Sequence, residues 1–115
     1  MSMTPEQKQI AIAEFEGWTN CQLIQDDPMG RPPNVSDQFK HLPPYLNSRD
    51  AICGAVEKLD DWDDNGKDKA EYSERLAYVV GANWGSNNVE DRRRIFEATA
   101  SQMADALLLT LRYQI

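Results

Sequence analysis

The chain has 115 residues, 41% of them apolar, and a formal net charge of −7. That length fits one domain, because two would each be too small to bury a core, and the apolar share excludes wholesale disorder. The acidity argues against direct nucleic-acid binding, which needs a basic patch to neutralise phosphates, and against adsorption to anionic membranes.

Met1 to Lys8 is polar and lacks the apolar core of a signal peptide, and no apolar run approaches the length needed to cross a bilayer. Cys21 and Cys53 are too few for a disulfide framework and read as small apolar thiols. A soluble, cytosolic chain is expected.

The first helix is capped by Thr4, with Pro5 at its first position and Gln7 completing a capping box. Ile10, Ala11 and Phe15 share a face. Gly17 ends the helix, where Trp18 can fold back onto Ile12. Thr19, Cys21 and Leu23 then alternate with Asn20 and Gln22, which predicts a short strand with one buried face.

From Asp26 to Leu46 six prolines and glycines, with Asn34, Ser36 and Asp37, predict a long irregular loop. Such loops are candidate binding regions; the plainer alternative is a surface loop pinned by Phe39, Leu42 and Tyr45.

Asn47 or Ser48 caps the second helix, whose stripe is Ile52, Ala55, Val56 and Leu59. An acidic connection, Asp60 to Asp68, leads to a third helix striped by Tyr72, Leu76, Val79 and Val80, ended by Gly81 or Gly85. After a polar turn from Gly85 to Glu90, the segment Arg92–Ala98 reads either as a strand or as the start of the last helix. Thr99 and Gln102 form a second capping box and favour a fresh start there. The final helix carries Met103, Ala106, Leu107 and Leu111, with Leu108 widening its apolar face, and is expected to be the most buried.

Three stretches in this order resemble one family. They are Ile10 to Thr19, with its Gly17-Trp18-Thr19 exit; Leu42 to Asn47 entering the helix Ala51–Leu59; and Ala98 to Leu107. The segment order resembles the bacteriophage α-β-α ("ABA") sandwich domain family. The resemblance spans nearly the whole chain and departs at Asp60–Lys69, which is longer than the family pattern. It implies a strand ending at about Ala98 and a helix starting at Thr99. It implies phage origin and no activity or catalytic residues, since the family is defined by fold and source.

Among motifs for chemistry, Asp61-Trp62-Asp63-Asp64-Asn65-Gly66 matches the first half of a calcium loop. The second half fails: Tyr72 stands where the bidentate glutamate belongs, and Asp68 replaces an apolar residue. A solvated acidic turn is the alternative. The eight acids between Glu57 and Glu74 also form a patch able to imitate a phosphate backbone before a host DNA-binding protein.

His41 is the only histidine and has no motif around it, so Ser–His, Cys–His and zinc arrangements lack their parts; it reads as a surface residue. No phosphate-binding glycine loop is present. Arg92, Arg93 and Arg94 could clasp an anion, although neighbours in sequence point to different faces. Trp18 reads as core, whereas Trp62 and Trp84 could anchor a partner.

The expected fold is α+β: about four helices packed on a small antiparallel sheet, a single-domain α-β-α sandwich over residues 1–115. The expected function is a non-enzymatic phage accessory protein in the host cytoplasm that binds a host factor, such as a defence component, by protein–protein contact. The alternative is sequestration of a nucleotide signal by the long loop and Arg92 to Arg94; a small hydrolase is third. No cofactor, no metal and no catalytic residue is assigned. The expected partner is a host protein or small ligand, with a homo-oligomer as one assembly and neither nucleic acid nor membrane involved.

Overall fold

A computed structural model describes residues 3–33, 38–60, 67–82 and 88–113. Within them, five helices and a three-stranded antiparallel sheet make an α+β fold.

Helix α1 (Pro5–Phe15) starts at the expected box, with Gln7 N–H donating to Thr4 Oγ1 at 3.1 Å and Thr4 N–H to Gln7 Oε1 at 2.9 Å. It ends at Gly17, which adopts a φ of +99° that other residues resist. Gly17 N–H then donates to the Glu14 carbonyl and Trp18 N–H to the Ala13 carbonyl, the paired bonds of a Schellman cap. That cap turns Trp18 back, half-buried, against the core.

Helices α2 (Arg49–Val56) and α3 (Lys69–Val80) begin on Ser48 and Asp68, each accepting from the backbone N–H three residues on. Helix α2 stops three residues before Leu59, yet Leu59 is buried from the turn that follows. Gly81, at a φ of +75°, ends α3. Helix α5 (Ala100–Thr110) starts at the Thr99–Gln102 box and buries Ala100, Met103, Ala104, Ala106, Leu107, Leu108 and Thr110. It is the most buried helix, as its width of apolar face predicts, and α1, α2 and α3 all pack on it. Each large side chain it removes from water contributes roughly 1.5–3 kcal/mol. Lys8 of α1 reaches Asp105 of α5 at 2.8 Å, and Gln9 donates to the Pro43 carbonyl at 2.8 Å.

Two expectations are corrected. Arg92–Ala98 is not a strand: helix α4 (Val89–Phe96) covers most of it, capped by Asn88, which makes five helices where about four were expected. Glu90 and Asp91 in its first turn and Arg93 and Arg94 in its last complement the helix dipole, and Glu90 pairs with both arginines one turn on. The family-like strand ending at Ala98 is thereby overturned, while the helix start at Thr99 holds.

The stretch Asp26–Leu46 is not wholly irregular either. Strand β1 (Thr19–Ile24) pairs with β2 (Asp27–Arg31), and β2 with β3 (Lys40–His41). Gln25 and Asp26, at φ of 51° and 69°, form the two-residue turn that hairpins favour, without the usual Asn-Gly signal. Pro28 lies one step from that turn, and Gly30 is buried because Cys21, Leu42 and Thr19 leave no room for a Cβ. Leu42 and Tyr45 do pin the segment, whereas Phe39 stays exposed. The one buried face expected of β1 is absent: only Cys21 is half-buried.

Candidate functional site

Helices α2, α3, α4 and α5 meet around an apolar groove of about 290 Å³. Arg49, Cys53 and Val56 recur at helical spacing along one face of α2, and Tyr72 and Leu76 do so on α3. Ile95 of α4 and Met103 of α5 complete the apolar lining. Tyr72, Leu76 and Met103 are buried, while Arg49, Cys53, Glu57 and Phe96 stand exposed at the edge.

Arg49 Nη2 donates to the Phe96 carbonyl at 3.1 Å, tying the start of α2 to the end of α4. That carbonyl lies at a helix C-terminus, where a cation is favoured. Tyr72 is 7% exposed, and its hydroxyl is buried without a hydrogen-bond partner. Burial, and then Cys53, push the Tyr72 pKa well up against the opposing pull of Arg49. The phenol therefore stays protonated and can both donate to and accept from a visiting group. Native proteins rarely bury a polar atom with nothing to bond, so this hydroxyl stands out among the groove's lining.

Helices α3 and α4 also leave large apolar side chains exposed. Helix α4 has no buried residue, and Val89 and Phe96, two turns apart on it, are 80% and 78% exposed. Tyr78 on the neighbouring α3 is 77% exposed.

The residues singled out in the sequence mostly lie elsewhere. Arg93 and Arg94 are exposed and bond Glu90, and Arg94 also donates to the Gly81 carbonyl at 3.0 Å. None of Arg92, Arg93 and Arg94 lines the groove, so they do not converge on an anion there. Asp61, Asp63 and Asn65 of the calcium-like loop, with Trp62 and Trp84, fall outside the described residues. Asp68, which broke the calcium pattern, is buried as the cap of α3. Glu71 pairs with Arg75 at 2.9 Å and Arg112 at 3.4 Å, so the acidic patch loses two of its members to structural duties. His41 is exposed on β3, and Cys53 is an exposed thiol rather than a packed one. No helix among the described residues is long and apolar enough to cross a membrane.

Compared with known protein families, curated proteins and solved structures, the chain matches none.

Sequence reasoning passed over Cys53, Tyr72 and Phe96 as site residues. Tyr72 was legible only as a core position of α3. Phe96 was hidden by the strand-or-helix ambiguity of Arg92–Ala98, which left its facing undetermined.

Proposed function

We propose that the protein is a non-enzymatic binding protein that docks a partner protein on the groove and on the apolar residues of α3 and α4. One observation carries this reading: Phe96 projects into solvent at the edge of a groove whose inner tyrosine lacks a hydrogen-bond partner. Exposed aromatic side chains next to an apolar pocket with one polar contact are the make-up of binding hot spots. The occupant is a different protein rather than a second copy, because two chains of net charge −7 repel each other. It inserts an apolar side chain between Val56, Leu76, Ile95 and Met103, and presents a polar group to Tyr72.

The host factor, the host cytoplasm and the phage origin belong to the same proposal, as does the α-β-α sandwich layering. Segment order supports them; α4, where that order implies a strand, counts against them.

Capture of partners from a bacterial lysate by tagged variants tests the reading. Phe96→Asp should cut capture by about tenfold or more without changing the fold, because a hot-spot side chain carries about 2 kcal/mol or more of binding. Reversing the charges of Asp61, Asp63 and Asp64 should leave capture within about twofold, because this reading gives the acidic segment no part in docking. The opposite ranking would hand the docking surface to the acidic segment.

A further inference from the structure

The sheet carries a second hollow, separate from the groove. It measures about 490 Å³ and is lined by Asn20, Cys21, Gln22, Arg31 and Phe39. Three consecutive residues of one strand cannot border one hollow in a regular sheet, where neighbours face opposite sides. Here they do because β1 is bulged. Thr19 pairs with Arg31 and Gln22 with Met29, so three steps along β1 match two along β2. Asn20 accommodates the extra residue with a φ of 52°, a conformation asparagine tolerates better than most.

Arg31 is the decisive member. Its guanidinium lies over the Phe39 ring, 5.4 Å from the centroid, and its Nε is buried without a hydrogen-bond partner. The chain has 19 acids against 12 lysines and arginines, yet among the described residues no carboxylate pairs with this half-buried arginine. The rest of the lining supplies donors: the amides of Asn20 and Gln22, and a Cys21 thiol kept protonated by burial and by the nearby Glu14. No lining side chain among the described residues is acidic.

We infer that this hollow binds the phosphate group of a small organic phosphate, held by the Arg31 fork and the Asn20 and Gln22 amides, with a planar group beside Phe39. Guanidinium–phosphate pairing matches the two donors of one fork edge to two oxygens, and it satisfies the buried Nε. The site is independent of the groove, and its failure leaves the docking reading untouched.

The test is a titration of the ¹⁵N-labelled full chain, followed at the Arg31 Nε–H signal, with AMP and separately with sodium phosphate. Sodium chloride holds ionic strength constant. The expected result is a saturable shift of that signal with AMP, at least about fivefold tighter than with phosphate, and, read at the backbone amides of Asn20 and Gln22, an affinity about tenfold or more weaker in Arg31→Lys, which keeps the charge and loses the fork. Phe39→Leu, at an exposed position, should fold normally and lose the AMP preference. Equal affinity for AMP and phosphate would overturn the organic part and leave a free-phosphate site. No saturable shift with either, or binding unchanged in Arg31→Lys, would overturn the site altogether.

Discussion

Helix α5 and strand β1 lie at opposite extremes of the same fold. The helix has seven buried residues between Ala100 and Thr110; the strand has one half-buried residue, Cys21. The helix is stabilised by what it removes from water. The sheet is held by local geometry: a bulge, a two-residue turn at positive φ, and a glycine under close neighbours. Function follows the same division. The groove borrows its rigidity from the α5 core, whereas the Arg31 hollow exists only because β1 departs from regularity.

Variants should separate the two modes, and the largest effect belongs to the core. Leu107 is fully buried, so Leu107→Ala should cost about 2–5 kcal/mol in chemical denaturation, as cavity-forming truncations do. A smaller loss would mean that α5 is less central than its burial indicates.

On the sheet side, Gly30→Ala places a Cβ 3.0 Å from Cys21 Sγ and 3.3 Å from both Leu42 Cδ2 and the Thr19 carbonyl oxygen. The expected cost is roughly 1–3 kcal/mol. Adding Cys21→Ala should recover part of it, since the closest contact is then gone; no recovery would place the strain in the backbone instead.

Tyr45 joins the two regions. It is fully buried and donates to the Glu16 carboxylate, which Lys58 also approaches at 3.5 Å. Tyr45→Phe should cost about 1–2 kcal/mol near neutral pH. Burial, and then the bond to Glu16, raise the Tyr45 pKa far above the usual 10.0, and Tyr72 is raised too. The folded state thus holds these protons more tightly than the unfolded chain does. Their contribution is complete below the unfolded value of 10.0 and is lost as pH rises beyond it. Urea midpoints measured from about pH 8 to about pH 11 should fall in the upper part of that range, and less steeply in Tyr45→Phe.

The smallest effect should be on the exposed face. Phe96→Ser should change stability by no more than about 0.5 kcal/mol, because Phe96 packs on little else in the chain. A large loss would make Phe96 a structural residue and weaken its place in docking.

The same contrast explains what was legible in the sequence. Capping boxes at Thr4 and Thr99, the Gly17 stop and the stripes Ile52–Ala55 and Tyr72–Leu76 are local signals, read correctly because helix chemistry is local, and of the two stops offered for α3 the structure uses Gly81. The hairpin was missed because Gln25-Asp26 carries no common turn signature and because Pro28 and Gly30 read as breakers. Their tolerance depends on pairing with β1, a long-range fact. Helix α4 was ambiguous because its charged surface buries nothing and so shows no apolar period. Of the segments marked as binding candidates, the long loop holds Arg31 and Phe39, which line the hollow on the sheet. Arg93 and Arg94 pair with Glu90 on their own helix, whereas Arg31 lines the sheet hollow.

The most direct test of the docking surface uses Cys53, an exposed thiol on the groove. A photoactivatable cross-linker attached there should, in a bacterial lysate, join the chain to one discrete protein. The adduct should vanish in Cys53→Ser, where label can sit only on Cys21, and also in Phe96→Asp. An adduct indifferent to either substitution, or captured protein that never cross-links from Cys53, would contradict a partner seated in this groove.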